Sequence, residues 1–204
     1  MSPLGADPAP RAEPRRPRRA DARRNYELLL AAAKEIFDEH GVDAPLDDIA
    51  RRAGVGNATM YRHFPTRREL IIAVYADEVT ALCAQGEALL EEGSPGDALF
   101  GWLRAFIAHV ATKRELALAV TNDRGGQRSA LFGRWHEAMH STASALLTRA
   151  QRSTTVRADL EVSDLLALAN GIALTGADAD QTERLLLLIR SGTDPDPKPV
   201  DEAG

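Results

Sequence analysis

The chain is expected to be all-α, with an N-terminal three-helix helix-turn-helix head and a larger C-terminal helical domain. Three observations predict the helical class. Ala, Leu, Arg and Glu abound while aromatic residues make up only 5% of the 204, a composition that favours helix throughout. Apolar residues recur at helical spacing, as at Leu29, Ala33, Ile36 and Phe37. The stretch from Leu46 to Phe64, LDDIARRAGVGNATMYRHF, divides into two short helices around a glycine.

Residues 1–22 are expected to form a disordered basic arm. They carry five prolines and no apolar periodicity, which argues against a packed helix. The arginines at 11, 15, 16, 18 and 19 are candidates to trail along DNA, in the minor groove. There is no apolar segment of the kind a secretory signal needs.

Residues 23–66 are expected to form the DNA-binding domain. Its first helix covers 23–40 and is stopped by Gly41. A second begins at Asp43-Ala44-Pro45, with Pro45 in the first helical position, where its missing N–H is tolerated. It ends at Ala53. Gly54 follows, where the turn wants a positive φ that glycine adopts without a Cβ clash. Asn57 begins the next helix, which Pro65 closes. Ile49, Ala53, Val55 and Met60 are expected to point inward, and Ala50 is small enough for the two helices to cross closely. This arrangement sends the second helix into the DNA major groove.

Residues 67–191 are expected to form the larger helical domain, which also carries dimerisation. Thr66 with Glu69 makes a capping box, opening a long helix from Arg67 to about Glu92. The segment 93–96, Gly-Ser-Pro-Gly, breaks it. Further helices are predicted at 97–111, 113–121, 128–151, 159–174 and 179–191, with 192–204 a disordered tail. Leu165, Leu168 and Ile172 cover more than one face of the penultimate helix. Leu185 through Ile189, including Leu188, are consecutive apolar residues that wrap most of the last. One core uses one face of a surface helix, so this surplus predicts a two-fold homodimer interface.

The net charge of −5 divides unevenly. Residues 1–72 hold 13 Lys and Arg against 11 Asp and Glu, and residues 73–204 hold 12 against 19. Positive charge thus gathers at the end that carries the helix-turn-helix, as phosphate binding requires. No apolar run reaches the roughly 18–20 residues of a membrane span, so no membrane partner is expected. The single cysteine, Cys83, cannot form an internal disulfide, which fits a reducing cytoplasm. On an apolar helix it is better explained as a small core residue than as a redox switch.

The pattern of Phe37, Gly41, Ile49-Ala50, Ala53-Gly54-Val55, Thr59, Tyr61-Arg62-His63-Phe64 and Leu70 resembles the TetR family of bacterial transcriptional regulators, in its actinobacterial form. The resemblance covers about residues 24–75. It implies a homodimer that binds double-stranded operator DNA and an unknown small-molecule effector held in an apolar cavity of the larger domain, 67–191. It implies that Gly56, Asn57, Ala58, Thr59, Tyr61, Arg62 and His63 form the recognition helix and its start. Tyr61 and His63 are then phosphate contacts, Asn57 and Thr59 reach bases or phosphates, and Arg67 meets the DNA backbone. Candidate walls of the cavity are Trp102, Phe106, His109, Phe132, Trp135, His136 and Met139. Gly56 departs from the family's frequent Ser or Thr, which weakens the cap of the recognition helix by a few tenths of a kcal/mol.

One rival chemistry needs weighing. His136-Glu137-Ala138-Met139-His140 is a literal H-E-x-x-H on a predicted helix, the pattern of a zinc-dependent hydrolase, with Glu161 a conceivable third ligand. The pattern is short enough to arise by chance, and an all-helical chain lacks the strands such a site uses to hold a substrate. No catalytic residue, metal or cofactor is therefore expected.

Overall fold

The computed structural model describes residues 18–91, 93–121 and 127–194. Within them run eight helices: α1 (Arg18–His40), α2 (Leu46–Ala53), α3 (Asn57–His63), α4 (Arg67–Glu91), α5 (Pro95–Thr121), α6 (Gln127–Arg152), α7 (Val162–Leu174) and α8 (Ala179–Thr193). No strand occurs among the described residues.

The head forms because three short amphipathic helices cannot bury their apolar faces alone. Leu29, Ala33, Ile36 and Phe37 of α1 share one buried core with Ile49 and Ala50 of α2, Met60 of α3 and Phe64. Ala53 and Val55 are half-buried against the same core. Gly54 ends α2 with φ +66°, and its amide donates to the carbonyls of Ala50 and Arg51. The Val55 amide closes the turn onto Ala50 O at 3.0 Å.

Several expected boundaries shift. The first helix begins at Arg18, inside the segment expected to be a disordered arm. Pro17 is the last proline of that segment, and the Arg and Ala residues after it are good helix formers, with Asp21 in the first turn to complement the helix dipole. The rest of the arm, 1–17, lies outside the described residues, as does most of the expected tail. Pro45 is the N-cap of α2 rather than its first residue, with extended ψ of 133°. The expected helices at 97–111 and 113–121 are one continuous α5. No Gly or Pro interrupts that join, and the Thr112 hydroxyl bonds back to Ala108 O at 2.8 Å, absorbing a polar side chain into the helix. The helix expected from 159 starts at Val162, and α8 runs on to Thr193.

Behind the head, α4 packs on α5 and α6, and α7 lies on α5 and α6. Trp102 sits fully buried at the centre, stacked on Phe106 with ring centroids 5.6 Å apart, its indole N–H donating to Leu82 O at 3.0 Å. The helix α8 is clipped to α5 at both ends. Arg104 forks onto Glu183, and Arg190 reaches Asp97 at 2.6 Å while lying over the Phe100 ring. Each arginine holds its partner's carboxyl below the usual range.

Candidate functional site

The head presents one open face. On α3, Asn57, Ala58, Tyr61 and Arg62 are exposed, Thr59 and His63 are half-buried, and Met60 faces the core. The Gly56 N-cap is exposed and offers no side-chain acceptor. Tyr26 of α1 packs against Phe64 at 5.2 Å and sets the edge of its contact with His63 at 6.2 Å. The recognition helix is therefore propped from behind by α1, and its outer side chains are left to solvent.

Arg67 does not behave as expected. Its guanidinium is half-buried and donates to the carbonyls of Val42 (2.8 Å) and Ala44, in the turn between α1 and α2. A fork of fixed N–H donors suits two converging carbonyls, so Arg67 holds the start of α4 against the head. Other head cations are also engaged. Arg52 bridges Glu35 (3.0 Å) and Glu39 (2.8 Å), which lowers the Glu39 pKa, and Arg51 meets Asp48 at 2.7 Å.

Three ion pairs, made by two lysines, join the head to the larger domain. Lys34 of α1 contacts Asp77 (2.6 Å) and Glu78 (3.0 Å) of α4. Partial burial opposes the Lys34 charge, but the two carboxylates outweigh it and raise its pKa. Asp38 of α1 accepts from the Lys113 ammonium of α5 at 2.7 Å.

Beneath these ties lies a cavity of about 500 Å³, mainly apolar, between α4, α5, α6 and α7. That volume suits a small ligand. Of the candidates named from sequence, Phe106, His109, Phe132, His136 and Met139 line it. Trp102 does not, being wholly consumed in core contacts. Trp135 stands behind the wall, its ring 4.9 Å from that of Tyr75. Tyr75, Val110, Lys113, Ser163, Leu166, Ala167, Asn170 and Leu174 complete the lining and were not foreseen. Lys113 could have been found from its place four residues after His109 on one helix face; a lysine more often marks a solvated face. Burial lowers the His109 pKa, opposed by Glu78 and reinforced by Lys113, and burial raises that of Tyr75.

The H-E-x-x-H residues do not converge. His136 borders the apolar cavity, while Glu137 and His140 border a separate, more open hollow with Arg149 and Ser144. Among the described residues no three His, Cys, Asp or Glu side chains are grouped to hold a metal ion.

The candidate dimer residues separate into two sets. Leu165 and Ile172 are buried within the protomer's own core, against expectation, because α7 turns that stripe toward α5 and α6. Leu185 and Ile189 are half-buried. Leu168 and Leu188 are exposed, together with Leu174 and Leu187, and leave an apolar face on α7 and α8.

Two family models match successive parts of the chain. Residues 29–74 match the family model for bacterial regulatory proteins of the tetR family. Residues 94–195 match that for the C-terminal domain of SbtR-like transcriptional regulators. The chain is 38% identical to the TetR transcriptional regulator SCO0520 from Streptomyces coelicolor, with a TM-score of 0.72 over 84% of this chain and 99% of that one. It is 36% identical to a TetR transcription regulatory protein from Mycobacterium vanbaalenii, also at 0.72, over 87% and 99%. Among curated relatives, it is 43% identical over 58 residues to the uncharacterized HTH-type regulator TtgW of Pseudomonas putida, which is 28% of this chain and 43% of that protein. The match thus spans less than half the length of that relative.

Proposed function

Because the chain belongs to the TetR family of DNA-binding transcriptional regulators, and not to a family of enzymes, we propose that it is a cytoplasmic repressor. It binds a palindromic operator as a homodimer and is released by a small molecule held between α4, α5, α6 and α7. The observation that carries this proposal is the continuity from the open face of α3, through the Thr66–Glu69 cap and the Arg67 clamp, into α4, which walls the cavity with Tyr75. A ligand that prefers one orientation of α4 favours one spacing of the two heads. It lowers operator affinity by its differential affinity for the two states.

Footprinting on the promoter region beside its own gene tests this directly. The expected result is a protected palindrome with half-sites about one helical turn, roughly 34–36 Å, apart. Tyr61→Ala should keep the fold and weaken specific binding by at least about tenfold, the loss of one charged hydrogen bond. A promoter without protection sinks the operator reading, and unchanged affinity in Tyr61→Ala sinks the contact. A reporter that falls when the regulator is supplied supports repression; one that rises opposes it.

A further inference from the structure

The cavity is mainly apolar; His136 of α6 and Ser163 and Asn170 of α7 also line it, and α5 carries a polar corner. His109 and Lys113 stand one turn apart there and share a face. His109 is 8% exposed, and its buried Nε2 has no hydrogen-bond partner among the described residues. The Lys113 side chain is also 8% exposed, whereas the Asp38 carboxylate that neutralises it is 57% exposed. The pair is therefore asymmetric. A buried ammonium needs an anion at hand. A mostly exposed carboxylate gives up its partner at little cost, because water replaces it.

We propose that the cavity binds an amphiphilic monocarboxylic acid, whose carboxylate takes the Lys113 ammonium from Asp38 and accepts a hydrogen bond from His109 Nε2. The ligand's apolar body lies against Tyr75, Phe106, Phe132 and Met139. One ammonium balances one negative charge, and Glu78 stands close enough to act on His109, so a dianion such as a phosphate monoester is disfavoured. The exchange has a consequence for the head. Asp38 belongs to α1, so a ligand that replaces it unfastens α1 from α5 and leaves Lys34 with Asp77 and Glu78 as the remaining ion pairs described between head and body. This deepens the effector-release proposal and rests on it.

The test uses the full chain and decanoate, with 1-decanol and decylamine as chain-matched controls. Binding is read by calorimetry and by quenching of Trp135, which adjoins the Tyr75 wall. Decanoate should bind at least about tenfold more tightly than 1-decanol, the effect of one hydrogen bond to a charged group. Lys113→Met should erase that preference while leaving 1-decanol binding unchanged. Asp38→Asn should tighten decanoate binding and leave 1-decanol unaffected; it decides the matter if Lys113→Met does not fold. Equal binding of acid and alcohol, preference for the amine, absence of binding by all three, or a preference that survives Lys113→Met would each overturn the proposal. Operator binding without any ligand is measured in parallel. A protein that grips its operator but ignores decanoate loses this inference and keeps the regulator reading. One that binds decanoate through Lys113 yet holds its operator equally well keeps the site and loses release through Asp38.

Discussion

Replacing Leu188 by Glu tests whether the leucine face of α7 and α8 joins two copies of this chain. Leu188 and Leu187 are 69% and 59% exposed on α8, and Leu168 and Leu174 are exposed on α7. Fully burying a leucine is worth about 1.5–3 kcal/mol. Covering the exposed two thirds of Leu188 is then worth about 1–2 kcal/mol per copy, and two-fold symmetry repeats it, for about 2–4 kcal/mol in the dimer. Leu188→Glu removes that contribution and adds the cost of desolvating a carboxylate at the centre of the contact. The dimer dissociation constant should rise at least ~30-fold, since each 1.4 kcal/mol is a factor of ten. Sedimentation equilibrium over a range of concentrations reads the constant directly. The fold should be unaffected, because Leu186, not Leu188, faces the protomer's core. Operator affinity should fall in parallel, since one head alone engages only one half-site. A wild-type chain that sediments as a monomer would refute the reasoning. So would a Leu188→Glu chain that dimerises as tightly as wild type.

Two further substitutions probe the body of the larger domain. A Cβ at Gly86 would lie 2.2 Å from Thr142 Cγ2 and 2.9 Å from the Trp102 Nε1 that is held by Leu82 O. Gly86→Ala gains about 1 kcal/mol of helix propensity but forces an overpacked contact costing about 1–3 kcal/mol. The melting temperature should therefore drop, by about 2–4 °C for each net kcal/mol, and adding Thr142→Ser should recover part of the loss; a variant that melts at or above the wild-type temperature contradicts the close approach. His109 is held neutral by burial, with its pKa below the ordinary value of about 6.5. The unfolded chain then binds the extra proton, so His109 makes stability fall as pH drops through about 6.5. His109→Phe should flatten that part of the melting-temperature profile between pH 7 and 5, and an unaltered slope would assign it to other groups.

The head was legible in the sequence because its constraints are local. Gly54 must take a positive φ, Pro65 must end α3, and Thr66 with Glu69 must cap α4; each is fixed by residues within a few positions. The cavity was half legible. Phe106, Phe132 and Met139 read as apolar at helical spacing, but that spacing cannot separate a core position such as Trp102 from a wall. Lys113 was missed for a different reason. Its burial depends on Asp38, far away in sequence, and a lysine next to Thr112 reads as solvent-facing. The leucine face was over-read in the same way. Five consecutive apolar residues on α8 reveal a surplus, but only the packing against α5 decides that Leu186 faces in and Leu188 out.

The engagement of the head's cations bears on how a cavity event could reach DNA. A head hung on a loose joint would not follow its body. Here Pro65 stops α3, the Thr66–Glu69 box starts α4 almost at once, and Arg67 pins that start to the carbonyls of Val42 and Ala44. The first turn of α4 therefore moves with the head as one body, and the direction of α4 sets where α3 points. Tyr75 lies two turns further along, about 12 Å at 1.5 Å per residue. A tilt of about 10° pivoting at the cavity wall shifts the start of α4 by about 2 Å over that length. In a two-fold dimer the shifts of the two heads combine to as much as about 4 Å, against a required spacing of about 34–36 Å. Interdigitated side chains at base edges tolerate far less than that. The rigidity of the Arg67 junction, rather than any large motion inside the cavity, is thus what would let a small ligand disengage the pair of heads.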